Sequence, residues 1–87
     1  MAWTVYIVKC ADGSFYTGIT TDVERRVGEH NHAKQGARYT RAKRPVALVY
    51  TEDAEDRSAA TKQEIAIKKL TRTQKLALIE SGGSGEH

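Results

Sequence analysis

One cysteine, one proline and a single asparagine, Asn31, are the scarcities that first narrow what this 87-residue chain can do. With Cys10 alone, no intrachain disulfide can form, and no cysteine set exists to hold zinc or an iron–sulfur cluster. A reducing, cytoplasmic setting is the expectation. The longest apolar run is a few residues, too short to span a bilayer, and Lys9 and Asp12 interrupt the first segment before it could serve as a cleavable leader. There is no phosphate-cradling glycine loop and no serine or cysteine triad pattern. Apolar residues make up 39% and mean hydropathy is −0.59. That balance fits one modest globular domain over residues 1–80, with Ser81-Gly82-Gly83-Ser84-Gly85 opening a flexible tail over 81–87.

The net charge of +3 decides little, but its distribution is uneven. Lys34, Arg38, Arg41, Lys43 and Arg44 fall in one stretch without an acid, and Tyr39 lies inside it. Such a run is either a solvated basic loop or a patch that tracks phosphates and offers one ring for stacking. Composition leaves both open.

Trp3 to Cys10 reads as a strand and Ser14 to Ile19 as its antiparallel partner. The loop between them sets the register. A two-residue turn at Asp12-Gly13 would put Tyr6 and Tyr16 on opposite faces. A three-residue loop, Ala11-Asp12-Gly13, pairs Cys10 with Ser14, Val8 with Tyr16 and Tyr6 with Gly18, so that both tyrosines share a face. Gly13 suits the longer loop because it tolerates positive φ, and Gly18 leaves space beside the Tyr6 ring. The three-residue loop is the expectation.

Thr21-Asp22-Val23-Glu24 reads as a capping box, starting a helix that runs to His32 or Ala33. Val23 and Val27 mark its inner side, and Arg26 and His30, four apart, share one face. Pro45 introduces a third strand, Val46 to Thr51, in which Val46, Leu48 and Tyr50 alternate with Ala47 and Val49. Asp56 or Ser58 caps a second helix whose Ala59, Ala60, Ala66, Ile67 and Leu70 recur at helical spacing, with Ile65 alongside. A second capping box, Thr71 to Gln74, starts a short third helix carrying Leu76, Leu78 and Ile79, with Gly82 as its stop. The order β-β-α-β-α-α describes an α+β fold: helices packed on a three-stranded antiparallel sheet, the first strand central if the third pairs with it.

Several side chains in this frame could carry chemistry. Glu64 sits at the edge of the apolar stripe of the second helix, apart from Lys62 and Lys69. It is either a surface glutamate paired with Lys68 at i+4 or one protein ligand of Mg²⁺, an ion that keeps most of its waters and takes further ligands from substrate phosphate. Arg26 and His30 are either an exposed pair or a phosphate ligand and a proton-handling group beside Tyr6. Tyr6 and Tyr16 are either half-buried strand aromatics with wet hydroxyls or members of the same site.

Taken in order, these features form a recognisable series: Thr4-Val5-Tyr6, about ten residues, Tyr16-Thr17-Gly18, Arg26-x-x-x-His30, then Glu64 on a later helix. The series resembles the GIY-YIG nuclease domain over nearly all of residues 1–80. The run from Cys10 to Arg26, with Arg38-Tyr39-Thr40-Arg41 and Ile67-Lys68-Lys69-Leu70-Thr71, is similar to the small stand-alone bacterial group called YhbQ/YazA-like. The resemblance implies that Tyr6 and Tyr16 position or deprotonate the attacking water, Arg26 binds the phosphate, His30 assists Tyr6, and Glu64 holds one Mg²⁺ or Mn²⁺. It implies a divalent-metal-dependent endonuclease acting on DNA, in repair or recombination, with RNA also admitted as substrate. Residues Lys34, Arg38, Tyr39, Arg41, Lys43 and Arg44 would hold the nucleic acid, and a partner protein could supply specificity. The alternatives are a nucleic-acid-binding module on the same fold that does not cut, and an adaptor that uses the basic loop to bind protein.

Overall fold

The computed structural model describes residues 2–32 and 43–82, in the order β1 (Trp3–Lys9), β2 (Phe15–Thr20), α1 (Val23–His32), β3 (Ala47–Ala54), α2 (Arg57–Lys68) and α3 (Arg72–Gly82). No helix among these is long and apolar enough to cross a membrane. The sheet order is β2-β1-β3 with both pairs antiparallel, so β1 is central as expected.

The hairpin takes the three-residue loop. Cys10 N–H donates to Ser14 O at 2.8 Å and Gly13 N–H to Cys10 O at 2.9 Å, while Gly13 stands at φ 88°. The Asp12 carboxylate locks the turn by accepting from the Ser14 backbone N–H at 3.0 Å and hydroxyl at 2.6 Å. The pairs Val8↔Tyr16 and Tyr6↔Gly18 follow, and both tyrosines share a face. A Cβ on Gly13 would meet nothing closer than Arg72 at 4.0 Å, so only backbone strain opposes a side chain there. Gly13→Val should lower stability by about 1–2 kcal/mol in urea denaturation while leaving the fold intact.

The β1–β3 register holds one irregularity that alternation does not reveal. Ile7 pairs with Tyr50 but Val8 pairs with Leu48, leaving Val49 as an extra residue. This bulge re-aims the strand. Val46 and Leu48 pack with Tyr6 and Val8, whereas Tyr50 crosses to the opposite face with Val5 and Ile7, where Ala60 and Ile67 of α2 cover it. The sheet thus has an α2/α3 face and an α1 face, and β1, buried on both, supplies Val5 and Ile7 to one and Tyr6 and Val8 to the other.

Several local expectations need correction. Asp22, not Thr21, caps α1: its carboxylate accepts the Arg25 N–H at 3.1 Å, while the Thr20 hydroxyl accepts the Asp22 N–H at 3.1 Å. A carboxylate beside the positive helix end outcompetes a hydroxyl one residue earlier. Asp56 caps α2, accepting from the Ala59 N–H at 2.8 Å, and the Thr71–Gln74 capping box forms reciprocally at 2.9 and 3.2 Å. Ile65 and Leu76 lie outside the core at 49% and 41% exposure, and Ala66 is exposed too. Helix α3 continues through Ser81 and Gly82, residues expected to begin the tail. Strand β3 runs to Ala54 rather than stopping at Thr51.

Candidate active site

On the α1 face, Tyr6 and His30 are almost wholly enclosed, at 1% and 0% exposure, and the Tyr6 hydroxyl is hydrogen-bonded to His30 Nε2 at 2.7 Å. The edge of the Tyr16 ring meets the imidazole with centroids 5.2 Å apart, so His30 is wedged between the two tyrosines. One helical turn earlier, the Arg26 guanidinium also donates to the Tyr6 oxygen. The same guanidinium pairs with Glu29 at 2.9 Å, and Arg25 shares that carboxylate at 3.3 Å. The expected pairing of Arg26 and His30 on one helix face thus converges on a single phenol. Arginine has only donors, so it must be the Tyr6 oxygen that accepts, which leaves the phenol proton available to a neutral imidazole.

Gly18 makes this arrangement possible. A Cβ there would stand 2.5 Å from the Tyr6 oxygen and 2.7 Å from Cζ, closer than carbon packing allows. Gly18→Ala should therefore push the hydroxyl off His30 and lower stability by about 1–3 kcal/mol in denaturant titration.

Burial pushes the Tyr6 phenol up to about 12, against the lowering effect of its hydrogen bond to Arg26 and with help from the nearby Tyr16 and Glu64. Burial likewise pushes the His30 imidazole down to about 4, aided by the charges of Arg26 and Arg44 and opposed by Glu29. Both groups are neutral at pH 7. The folded state refuses a proton that the unfolded chain takes up below its ordinary value of 6.5. Stability from this group is therefore complete above pH 6.5 and is lost as pH falls from 6.5 toward 4, by on the order of 3 kcal/mol. Urea titrations across that window should show the loss in the parent protein and a shallower slope in His30→Gln.

Glu64 belongs to α2, yet it lies near enough to Tyr6 to raise the phenol's pKa. Its side chain is 19% exposed and pairs with Lys68 at 3.2 Å, the i+4 contact foreseen for a surface glutamate. It is at once that glutamate and a neighbour of the tyrosine site. No group of three or more His, Cys, Asp or Glu side chains clusters among the described residues. An ion held here would thus have one protein carboxylate, which fits Mg²⁺ with water and phosphate completing its shell and does not fit a dedicated all-protein cage.

The basic stretch divides. Lys34, Arg38, Tyr39 and Arg41 lie outside the described residues. Lys43 pairs with Asp12 at 3.0 Å, and Arg44 donates to the backbone oxygens of His30 and of Glu29, the latter at 3.1 Å. Arg44 thus sits on the carbonyl end of α1, where a cation complements the helix dipole. Asn31 clamps the start of β3, exchanging hydrogen bonds with Val46 N–H at 2.7 Å and Val46 O at 3.1 Å. Sequence reasoning missed Glu29, although its i+3 spacing from Arg26 was a usable signal. It had no signal for the Arg44 and Asn31 contacts, whose partners lie 14 and 15 residues away. A cavity of about 230 Å³ lined by Glu52, Gln63, Ala66, Ile67, Leu70 and Leu78 lies on the α2/α3 side, away from the tyrosines.

Residues 2–77 match the model of the GIY-YIG catalytic domain. The chain belongs to the GIY-YIG family. It is 57% identical to a UPF0213 protein of Desulfotalea psychrophila, over 97% of this chain and 76% of that one. It is 54% identical to a UPF0213 protein of Halobacterium salinarum, over 85% and 95%. The solution structure of a UPF0213 protein from Bacillus halodurans superposes with a TM-score of 0.62 at 42% identity, covering 97% of this chain and 88% of that one. The α+β architecture expected from the sequence is the one these structures share, and membership of a nuclease superfamily supports a nuclease-like role.

Proposed function

We propose that the α1 face of the sheet hydrolyses phosphodiester bonds in DNA with the help of one Mg²⁺ or Mn²⁺ ion. One observation carries the reading: a buried phenol, Tyr6, is held between a neutral imidazole and a guanidinium. A purely structural tyrosine needs neither. Arg26 offers a rigid fork to the scissile phosphate and stabilises charge as it builds in the transition state. The Tyr6 oxygen receives a proton from the attacking water while its own proton passes to His30 Nε2. The ordinary obstacle is that His30 is a weak base in the free protein. Phosphate at Arg26 eases it in part, because neutralising that guanidinium removes one charge that depresses the imidazole, while burial, the larger cause, stays. Tyr16, edge-on to His30, holds the ring in place and shares the positioning of water. Glu64 would hold the ion, and a bound ion supplies Lewis-acid relief of phosphate charge and a more acidic water. Lys34, Arg38, Tyr39 and Arg41 extend the contact along the backbone, with Lys43 and Arg44 at their end.

The ion pairs Glu64–Lys68 and Arg26–Glu29 favour a second reading, since both site charges already have partners within the protein. In that reading the same face binds nucleic acid without cutting it. Supercoiled plasmid, branched duplex and single-stranded DNA, each incubated with purified protein in Mg²⁺ and in Mn²⁺, separate the two. Metal-dependent nicking or cutting of at least one substrate supports the enzyme. Intact substrates throughout, with binding retained, establish the binder.

A further inference from the structure

Arg72 opens α3 and lies against Phe15 on the α2/α3 side of the sheet, and no part of the site described above includes it. Its guanidinium is nonetheless held by two contacts. Nη1 donates to Gly13 O at 2.9 Å, and the group stacks 4.9 Å from the centroid of the Phe15 ring. The residue is exposed, and no carboxylate among the described residues pairs with it. Arg25 and Arg26, by contrast, are committed to Asp22 and Glu29. A guanidinium clamped by a carbonyl and a ring loses little further freedom on binding, and its remaining N–H edge suits a phosphate oxygen. Along the chain the charge beside Arg72 has one sign, while across the fold Asp12, which adjoins Gly13, is already paired with Lys43. From Ile65 to Ile79 the chain carries Lys68, Lys69, Arg72 and Lys75 and no acid, and Lys75 follows Arg72 at i+3 on the same helix face.

Its place along the sheet makes this specific. Phe15 and Gly18 are three residues apart on β2, about 10 Å of strand, and Gly18 faces Tyr6. Phe15 packs on the α2/α3 side and Tyr16 on the α1 side. A backbone can reach both Arg72 and Tyr6 by passing the outer edge of β2, which carries no further strand among the described residues. Ten ångströms equals the axial rise of about three B-form nucleotides, and a backbone following a longer path per nucleotide spans it with fewer, so the two phosphates are different ones on a short strand.

We propose that Arg72, clamped on Phe15 and Gly13, binds a backbone phosphate of the nucleic acid distinct from the phosphate at Arg26. The inference rests on the functional reading above, but its test is a binding measurement without added metal and does not require cleavage. Short DNA duplexes and single strands are titrated against the parent protein, Arg72→Gln and Arg72→Lys between 50 and 300 mM NaCl, together with a set of strands carrying one neutral methylphosphonate each. Loss of one phosphate contact should lower affinity roughly eight-fold at 0.1 M salt and reduce the log–log salt slope by about one unit. Arg72→Lys should restore the slope but only part of the affinity, since it keeps the charge and loses the fork. One methylphosphonate position, and not its neighbours, should abolish the difference between parent and Arg72→Gln. It should differ from the position whose neutralisation abolishes the effect of Arg26→Gln. A structural role alone would change melting temperature without moving the salt slope. If the parent binds and Arg72→Gln binds equally well, with the same slope, this inference falls and the functional reading stands. If the parent binds none of the oligonucleotides, both fall together.

Discussion

Arg26→Ala is expected to slow cleavage by at least about a hundred-fold under single-turnover conditions, with a smaller loss of affinity. The guanidinium is a charged donor in a partly enclosed site, where removing one such group from the developing charge costs two to three orders of magnitude in comparable centres. Two secondary effects act in the same direction, against the gain in His30 basicity that loss of the Arg26 charge brings. The hydrogen bond that lowers the Tyr6 phenol is lost, so the hydroxyl becomes still harder to ionise. Glu29 keeps only Arg25 as a partner, leaving net negative charge where phosphate must approach. Arg26→Lys should fall between, because an ammonium restores charge without the fork that serves Tyr6 and phosphate together. Cleavage by Arg26→Ala within about three-fold of the parent would remove Arg26 from the site.

Glu64→Gln should have the other large effect, and its signature is a split between rate and affinity. The substitution keeps size and shape while removing the charge an ion needs, so metal-dependent cleavage should disappear. Affinity without metal should be equal or slightly raised, since a negative charge near phosphate is gone. Stability should change little. The Lys68 side chain is 52% exposed, and an ion pair of that kind contributes at most a few tenths of a kcal/mol. Unaltered cleavage in Glu64→Gln would mean that any metal is held elsewhere.

Local rules carried the sequence reading where the deciding residues were neighbours. The Ala11-Asp12-Gly13 loop has one comfortable conformation, and strand alternation then placed Tyr6 opposite Gly18 and Tyr16 on the same face. Arg26 and His30 were legible as a pair because four residues make one helical turn. What escaped were interactions whose partners lie far apart in the chain. The bulge at Val49 arises from how β3 fits β1 and flips Tyr50 to the other face, which no alternation within β3 announces. Arg72 looked like the second residue of a capping box, yet its guanidinium reaches Gly13, 59 residues away. Asn31 read as a helical residue and proved to be the clamp on Val46. Reading Thr21 rather than Asp22 as the cap was an error of one residue between two adequate acceptors.

The central claim is that ion and phosphate meet beside Tyr6 and Glu64, and Mn²⁺ tests it directly because it broadens NMR signals of nearby nuclei. Backbone amide spectra of the isotopically labelled protein would be followed as substoichiometric Mn²⁺ is added with a short DNA oligonucleotide, in the parent and in Glu64→Gln. The account predicts broadening centred on Glu64, Tyr6 and Gly18 in the parent, and its loss in Glu64→Gln while the oligonucleotide stays bound. Broadening centred elsewhere, or unchanged by Glu64→Gln, would contradict it.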